Sequence, residues 1–139
     1  MTYWFCITSP ENWTVIKNEK IWGVCNVYKK LIKQAKKGDK IIICAVEGDE
    51  KRKAIELKIC GLFEVESETC KDCKIIFNSV KGELHSNRIR LKPIKIPEEA
   101  TPVKNLFPEL SFGEENHLYT RVMQKIPAKD FEIIERALT

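Results

Sequence analysis

Three tryptophans fall within the first 22 residues, and their setting constrains the fold more than anything else in the chain. Tyr3-Trp4-Phe5-Cys6-Ile7-Thr8 is rich in aromatic and β-branched residues and reads as a strand over residues 2–8. It passes directly into Ser9-Pro10-Glu11-Asn12-Trp13. There Ser9 suits an N-cap, Pro10 the first helical position and Glu11 the first turn of a short helix over residues 10–18. Ten residues past Asn12 comes Trp22, followed by Gly23. A tryptophan beside a glycine, near a pocket-facing amide, suits the reading of a flat ring such as a nucleobase.

On the first helix Asn12, Val15 and Ile16 stand at i, i+3 and i+4, so the amide shares a face with apolar neighbours. A polar group on an inward face needs a partner, and a ligand is one option. Asn26 can cap a second helix over residues 27–37, with Val27, Leu31 and Ala35 inward and Lys29, Lys33, Lys36 and Lys37 outward. Lys40 to Val46 is an apolar run of strand length. Ala54 to Glu66 alternates as a strand, with Gly61 marking a bulge. Lys74 to Phe77 makes another short strand. Residues 87–96 give the clearest one, with Ile89 and Leu91 on one face and Arg88, Arg90 and Lys92 on the other. Pro93 and Pro97 limit pairing there, so that strand is expected to end at a sheet edge. A last helix opens at Pro127-Ala128-Lys129-Asp130 and turns Phe131, Ile134 and Leu138 to one side. Strands interleaved with short helices predict an α+β chain built on a small, curved mixed barrel or sheet.

At 139 residues the chain makes one domain, residues 1–139, with a single substantial core. No stretch approaches the roughly 20 apolar residues of a membrane span. The start lacks the pattern of a secretory signal, so the expectation is an intracellular, cytoplasmic protein. The formal charge of +4 is unevenly placed. Residues 1–40 carry eight lysines against three acidic residues, whereas residues 41–99 balance to zero. The excess thus lies with the tryptophans, and such asymmetry suits a polyanion partner.

Among six cysteines, Cys6, Cys44 and Cys60 lie in strand-like segments and Cys25 follows Val24, which reads as small hydrophobes in a reducing compartment. Cys70 and Cys73 form a C-x-x-C pair. A zinc site would need further ligands, and His85 and His117 are the only histidines. The pair therefore stands open between a metal or redox site and inert thiols, and no cofactor or metal is assigned.

These residues carry a family resemblance. The run Tyr3 to Trp13, then Trp22-Gly23-Val24 and Gly38-Asp39-Lys40, resembles the EVE domain family. Gly61 to Val65 and Arg88 to Pro93 fall where that family has its later strands, and the helix ending at Leu138 is similar to its C-terminal helix. The resemblance implies a PUA-like fold, a curved mixed β-barrel or sheet flanked by short helices, related to YTH domains that read methylated adenine in RNA. It implies a reader that accepts a flipped, often modified, base into an aromatic pocket. Trp22 matches the YTH cage tryptophan that follows the pocket asparagine by ten residues. Asn12 matches that asparagine, and Thr8 or Ser9 the polar pair that ends the first strand. Phe77 and Leu84 are candidates for the second wall, on position alone. Many relatives have a Trp and a Gly-containing segment before the last helix, where this chain has Asn116 to Arg121.

Each residue also has a plain structural role open to it. Trp4 and Trp13 suit the core, Ser9 a simple N-cap, Asn12 an internal hydrogen bonder. The Lys29, Lys33, Lys36 and Lys37 face and the Arg88, Arg90 and Lys92 row suit solvated surface or, alternatively, a track for phosphates. Catalysis finds no Ser/His/Asp order, phosphate-cradling glycine loop or paired carboxylates. The expectation is a non-catalytic module binding DNA or RNA, single-stranded or with a flipped base. The alternative is a small hydrolase or small-ligand protein using the same pocket, with Lys17 or Thr8 as its reactive group. An adaptor acting through Cys70 and Cys73 is a third reading.

Overall fold

A computed structural model describes residues 1–49, 54–71, 85–106, 109–110 and 122–138. The elements in chain order are β1 (Tyr3–Thr8), α1 (Pro10–Glu19), β2 (Ile21–Val24), α2 (Lys29–Ile32), β3 (Lys40–Asp49) and β4 (Ala54–Val65). Then come β5 (Cys70–Lys71), β6 (Asn87–Lys95), β7 (Thr101–Pro102), β8 (Met123–Ile126) and α3 (Ala128–Ala137). Short 3-10 turns occupy Asn26–Tyr28 and Val103–Leu106. The main sheet runs β2-β6-β4-β3-β1-β8, with β5 added beside β6 and β7 beside β4. Only β1 and β3 run parallel among the described strands. The result is a mixed sheet curled into a half-barrel with three short helices, the PUA-like architecture.

The opening block folds as its sequence dictates. Ser9 holds an extended conformation and its Oγ accepts from the Asn12 N–H at 3.2 Å, while Pro10 takes the first helical turn, where a missing N–H costs nothing. Helix α1 ends at Lys20, which adopts a left-handed conformation with φ 60° and donates its N–H to Ile16. That sharp exit lets β2 start at the next residue.

Alternation along the strands splits the apolar residues into two cores. Trp4, Cys6, Ile41, Ile43, Phe63, Val65, Ile89 and Leu91 face one way, and Ile16 of α1 and Ile32 near α2's end pack on them. Phe5, Ile42, Cys44, Leu57, Ile59 and Leu62 face the other way, covered by Phe131, Ile134 and Leu138 of α3. Tyr3 stacks on Phe131 with ring centroids 4.4 Å apart. A strand buried on both faces reads as a continuous apolar run, as Ile41 to Ala45 does.

The bulge expected at Gly61 lies beside it. Ile43 faces Gly61 but Cys44 faces Ile59, which leaves Cys60 as the extra residue. Glycine is needed here for space. A Cβ on Gly61 would sit 2.9 Å from Phe63 Cε2 and 3.0 Å from Trp13 Cη2, the pair of rings that meet edge-on.

Of three expectations, two are corrected and one holds. The second helix is a 3-10 turn followed by a single α turn rather than a helix over residues 27–37. Asn26 does not cap it, because its Oδ1 accepts a tertiary hydrogen bond from Asn87 Nδ2 at 3.0 Å. The tighter 3-10 winding changes the phase, so Val27 is 80% exposed while Ile32 and Ala35 are buried. Second, β6 is interior only towards its start, with β2 along Asn87–Arg90 and β5 along Asn87 and Arg88. Leu91–Lys95 pair with β4 alone among the described strands, so the strand ends at a sheet edge as expected, with Pro93 opposite Phe63 beside a register irregularity. Third, Arg88 does not join Arg90 and Lys92 on the exposed face. It pairs with Gly23 on one side and Cys70 on the other, is 2% exposed, and its Nε donates to the His85 carbonyl at 2.8 Å. The strand expected at Lys74 to Phe77 lies outside the described residues.

Candidate nucleic-acid interface

Helix α1, strand β2 and the α2 segment converge on one face of the sheet, because each contributes to the same apolar cluster. That convergence brings four of the sequence candidates onto neighbouring elements. Thr8 ends β1 half-buried, and Ser9 follows as the N-cap. Asn12 lies one turn into α1, 5% exposed, and Trp22 lies in β2, 2% exposed. Ser9 thus fills its structural role, and any ligand would share its hydroxyl with the Asn12 N–H.

Two tryptophans on this face differ sharply. Trp4 is fully buried and its Nε1 donates to Asp39 Oδ2 at 3.2 Å. Asp39 also accepts from the backbone N–H groups of Thr2 (3.1 Å) and Lys36 (2.9 Å), so one buried carboxylate ties three segments together. Lys125 Nζ sits 5.6 Å from the Trp4 ring centroid, a cation–π contact. Trp22, in contrast, has a buried Nε1 with no hydrogen-bond partner among the described residues. Such an orphan costs about 1–3 kcal/mol, and native proteins tolerate few. With 2% of its surface exposed, Trp22 presents no open ring face for stacking. Gln124 Nε2 is the other buried orphan donor, and its register opposite Phe5 puts it on the α3 side.

The cations divide by exposure. Lys29, Lys30, Lys33, Lys36 and Lys37 are all exposed along α2 and the turn after it, as are Arg90 and Lys92 on β6. Strand β2 lies against the Arg90 stretch of β6, since Ile21 pairs with Arg90. Trp22 lies opposite Ile89, so Arg90, one residue further along β6, leaves the strand on the other face, while α2 packs against β6. Arg88 is buried support beneath them and cannot meet a phosphate where it lies. Phe77, Leu84 and the segment Asn116 to Arg121 lie outside the described residues.

Burial pushes the Cys6 and Cys44 thiols well up, Cys44 further through its neighbours Cys60 and Cys6, so both stay neutral and apolar. Cys70 is exposed, whereas Cys73 lies outside the described residues. No group of three or more His, Cys, Asp or Glu able to hold a metal occurs among the described residues. No described helix is long and apolar enough to cross a membrane. A groove of about 310 Å³ lined by Leu62, Ile94, Lys95, Glu135 and Arg136 lies on the α3 side, and none of the described site candidates lines it. Sequence reading missed the Asp39 clamp. An Asp just before a buried strand, spaced to reach a tryptophan on a neighbouring strand, carries no local signature.

The curled sheet places the molecule in the PUA-like class, and solved structures of that shape bear this out. The chain superimposes on human THYN1, solved in complex with 5-methylcytosine-containing DNA, with a TM-score of 0.65 at 14% identity, covering 99% of this chain and 97% of that one. It superimposes on the YTH domain of Mmi1, solved with RNA, with a TM-score of 0.67 at 16% identity, covering 99% and 80%. The chain belongs to the EVE domain family, whose pattern it matches over residues 2–137. A UPF0310 protein of Pyrococcus abyssi is 38% identical over 144 residues, covering 99% of this chain and all of its own length.

Proposed function

We propose that this chain is a non-catalytic reader of a modified base in single-stranded or flipped-out nucleic acid. The observation that carries the reading is the convergence of α1 with Asn12, β2 with Trp22, and the lysine-rich α2 segment on one face. The similarity of fold to THYN1 with its methylated DNA and to the Mmi1 YTH domain with its RNA supports it. In this reading Trp22 borders the base, and Asn12 with Thr8 or Ser9 reads its edge, as amides do in single-strand recognition. Phe77 is the proposed second aromatic wall. Lys29, Lys33 and Arg90 hold the backbone, while Arg88 supports the strand from beneath.

Phosphate contacts fix position without specifying sequence, so selectivity has to come from the pocket. Extruding a base costs a few kcal/mol and least when it is unpaired, which favours single strands. The test is fluorescence-detected binding to single-stranded DNA and RNA, with and without N6-methyladenine, 5-methylcytosine or 5-hydroxymethylcytosine, at two salt concentrations. Preference for one modified base, with affinity that falls as salt rises, is the expected result. Absence of binding to every oligonucleotide sinks the reading and turns attention to a small ligand in the same pocket.

A further inference from the structure

We propose that the groove on the α3 side is a separate ligand site, and that it takes a free nucleoside monophosphate whose base carries an amino group. The proposal does not depend on the reader function, since it concerns the opposite face of the sheet.

A local defect in β6 builds the groove. Leu62 faces Lys95 and Phe63 faces Pro93, so Ile94 is an extra residue without a partner on β4. Such a bulge re-aims the side chains around it. Plain alternation from Leu91 would have put Lys95 on the Trp22 face. Directly opposed residues of an antiparallel pair point the same way, and Leu62 belongs to the cluster under α3, so the bulge turns Lys95 to the α3 side. It also leaves Ile94 45% exposed. The last turn of α3 supplies the other wall with Glu135 and Arg136.

Two opposite charges line this groove without pairing. Lys95 and Glu135 are both exposed, and neither side chain makes a hydrogen bond or ion pair among the described residues. Arg136 adds a second cation, with its Nε turned to the Glu132 carbonyl at 3.4 Å. Leu62 and Ile94 give the same groove its apolar surface. The complementary ligand therefore brings an anion for the cations, a hydrogen-bond donor for the carboxylate and a flat apolar body for Ile94.

The groove, at about 310 Å³, stands at the small end of ligand pockets, which span roughly 300–1,000 Å³. A nucleoside monophosphate with an amino-bearing base joins all three features in a molecule of that scale. Its phosphate meets Lys95 and Arg136, its ring lies on Ile94, and its amino group donates to Glu135, as cytosine N4 does to carboxylates.

The experiment titrates the wild-type chain with cytidine monophosphate, uridine monophosphate and inorganic phosphate, followed by 15N NMR. The two nucleotides differ at C4 of the base, an amino donor in one and a carbonyl acceptor in the other. Cytidine monophosphate is expected to bind with a Kd of about 1 mM or below, and uridine monophosphate about 3- to 10-fold more weakly. The largest shifts should fall on the amides of Ile94, Lys95, Glu135 and Arg136. Lys95→Gln should weaken both nucleotides by about 3- to 10-fold, and Glu135→Ala should erase the preference between them. Both positions are exposed, so the variants keep the fold. Equal affinity of the wild-type chain for the two nucleotides overturns the proposal, as does phosphate that binds as tightly as either. Shifts centred on Asn12 and Trp22 also defeat it, because the nucleotide then sits on the other face. Groove shifts that track protein concentration without any ligand make a second copy of the chain the occupant and refute it. A spectrum unmoved by millimolar nucleotide does the same.

Discussion

The two faces of the sheet draw on the same strands and end up with different characters. On the α3 side Phe5, Ile42, Cys44, Leu57 and Ile59 meet Phe131, Ile134 and Leu138, and one ten-residue helix covers them. On the other side two short helical segments share the work, and polar groups are built into the packing: Asn12, the Asp39–Trp4 clamp and the orphan donor of Trp22. The first face is mostly apolar, although Gln124 Nε2 is buried there without a partner among the described residues. The second builds more polar groups into its packing, and Trp22 Nε1 is its buried donor without a partner among the described residues. The lysines follow the same division, since the exposed α2 cations flank the polar face.

The comparison can be broken most forcefully on the sealed face. Phe131→Ala removes a buried ring stacked on Tyr3 and is expected to cost about 3–5 kcal/mol in denaturant unfolding, while the fraction that remains folded keeps its affinity for oligonucleotides. A loss of affinity in that folded fraction would mean that the faces are not separate in function. Asp39→Ala is next. It strands the Trp4 N–H and two backbone donors, and roughly 3 kcal/mol of stability should disappear, read as a lowered unfolding midpoint. A near-neutral outcome would show that the clamp is not what holds β1 to the α2 turn.

The third test touches only the surface of the polar face. The double change Lys29→Glu, Lys33→Glu should leave stability within about 0.5 kcal/mol and weaken oligonucleotide binding. The slope of log affinity against log salt should fall by about 0.7 for each phosphate of a single strand that the variant no longer neutralises. An unchanged slope would make these lysines ordinary solvated surface.

The smallest effect is expected at the rim of the sealed face, where Lys40 Nζ donates to Glu64 Oε1 at 2.9 Å. That hydrogen bond holds the Glu64 carboxyl below its usual value. A lowered carboxylate contributes stability above its unfolded pKa and loses it as pH falls through the folded value. Glu64→Gln should therefore slightly flatten the acid limb of stability against pH and change little at neutrality, because the pair is largely solvated. A large shift at neutral pH would show that this rim matters more than its exposure implies.

Much of this fold was legible along the chain. Ser9 and Pro10 mark the helix start by local hydrogen bonding and a fixed φ, and Phe131, Ile134 and Leu138 mark a helix face by period alone. Cys6, Cys44 and Cys60 read as core residues and are buried. Where reading failed, a distant partner had intervened. Asn87 took the Asn26 oxygen that would have capped a helix, and the phase of Val27 was lost with it. Arg88 looked exposed by alternation, but its side chain is buried and its Nε donates to the His85 carbonyl. Pro93, in contrast, read as an edge residue, and its half of β6 pairs with β4 alone among the described strands.

The sequence by itself determined which segments become strands and helices, and the family to which the chain belongs. Those properties depend on neighbours within a few residues and on a pattern that recurs among relatives. Only the tertiary structure decided that Trp4 finds an acceptor while Trp22 has none among the described residues, and that Arg88 is buried while Arg90 is exposed. Those outcomes depend on which strand lies beside which, and a residue tens of positions away sets each of them.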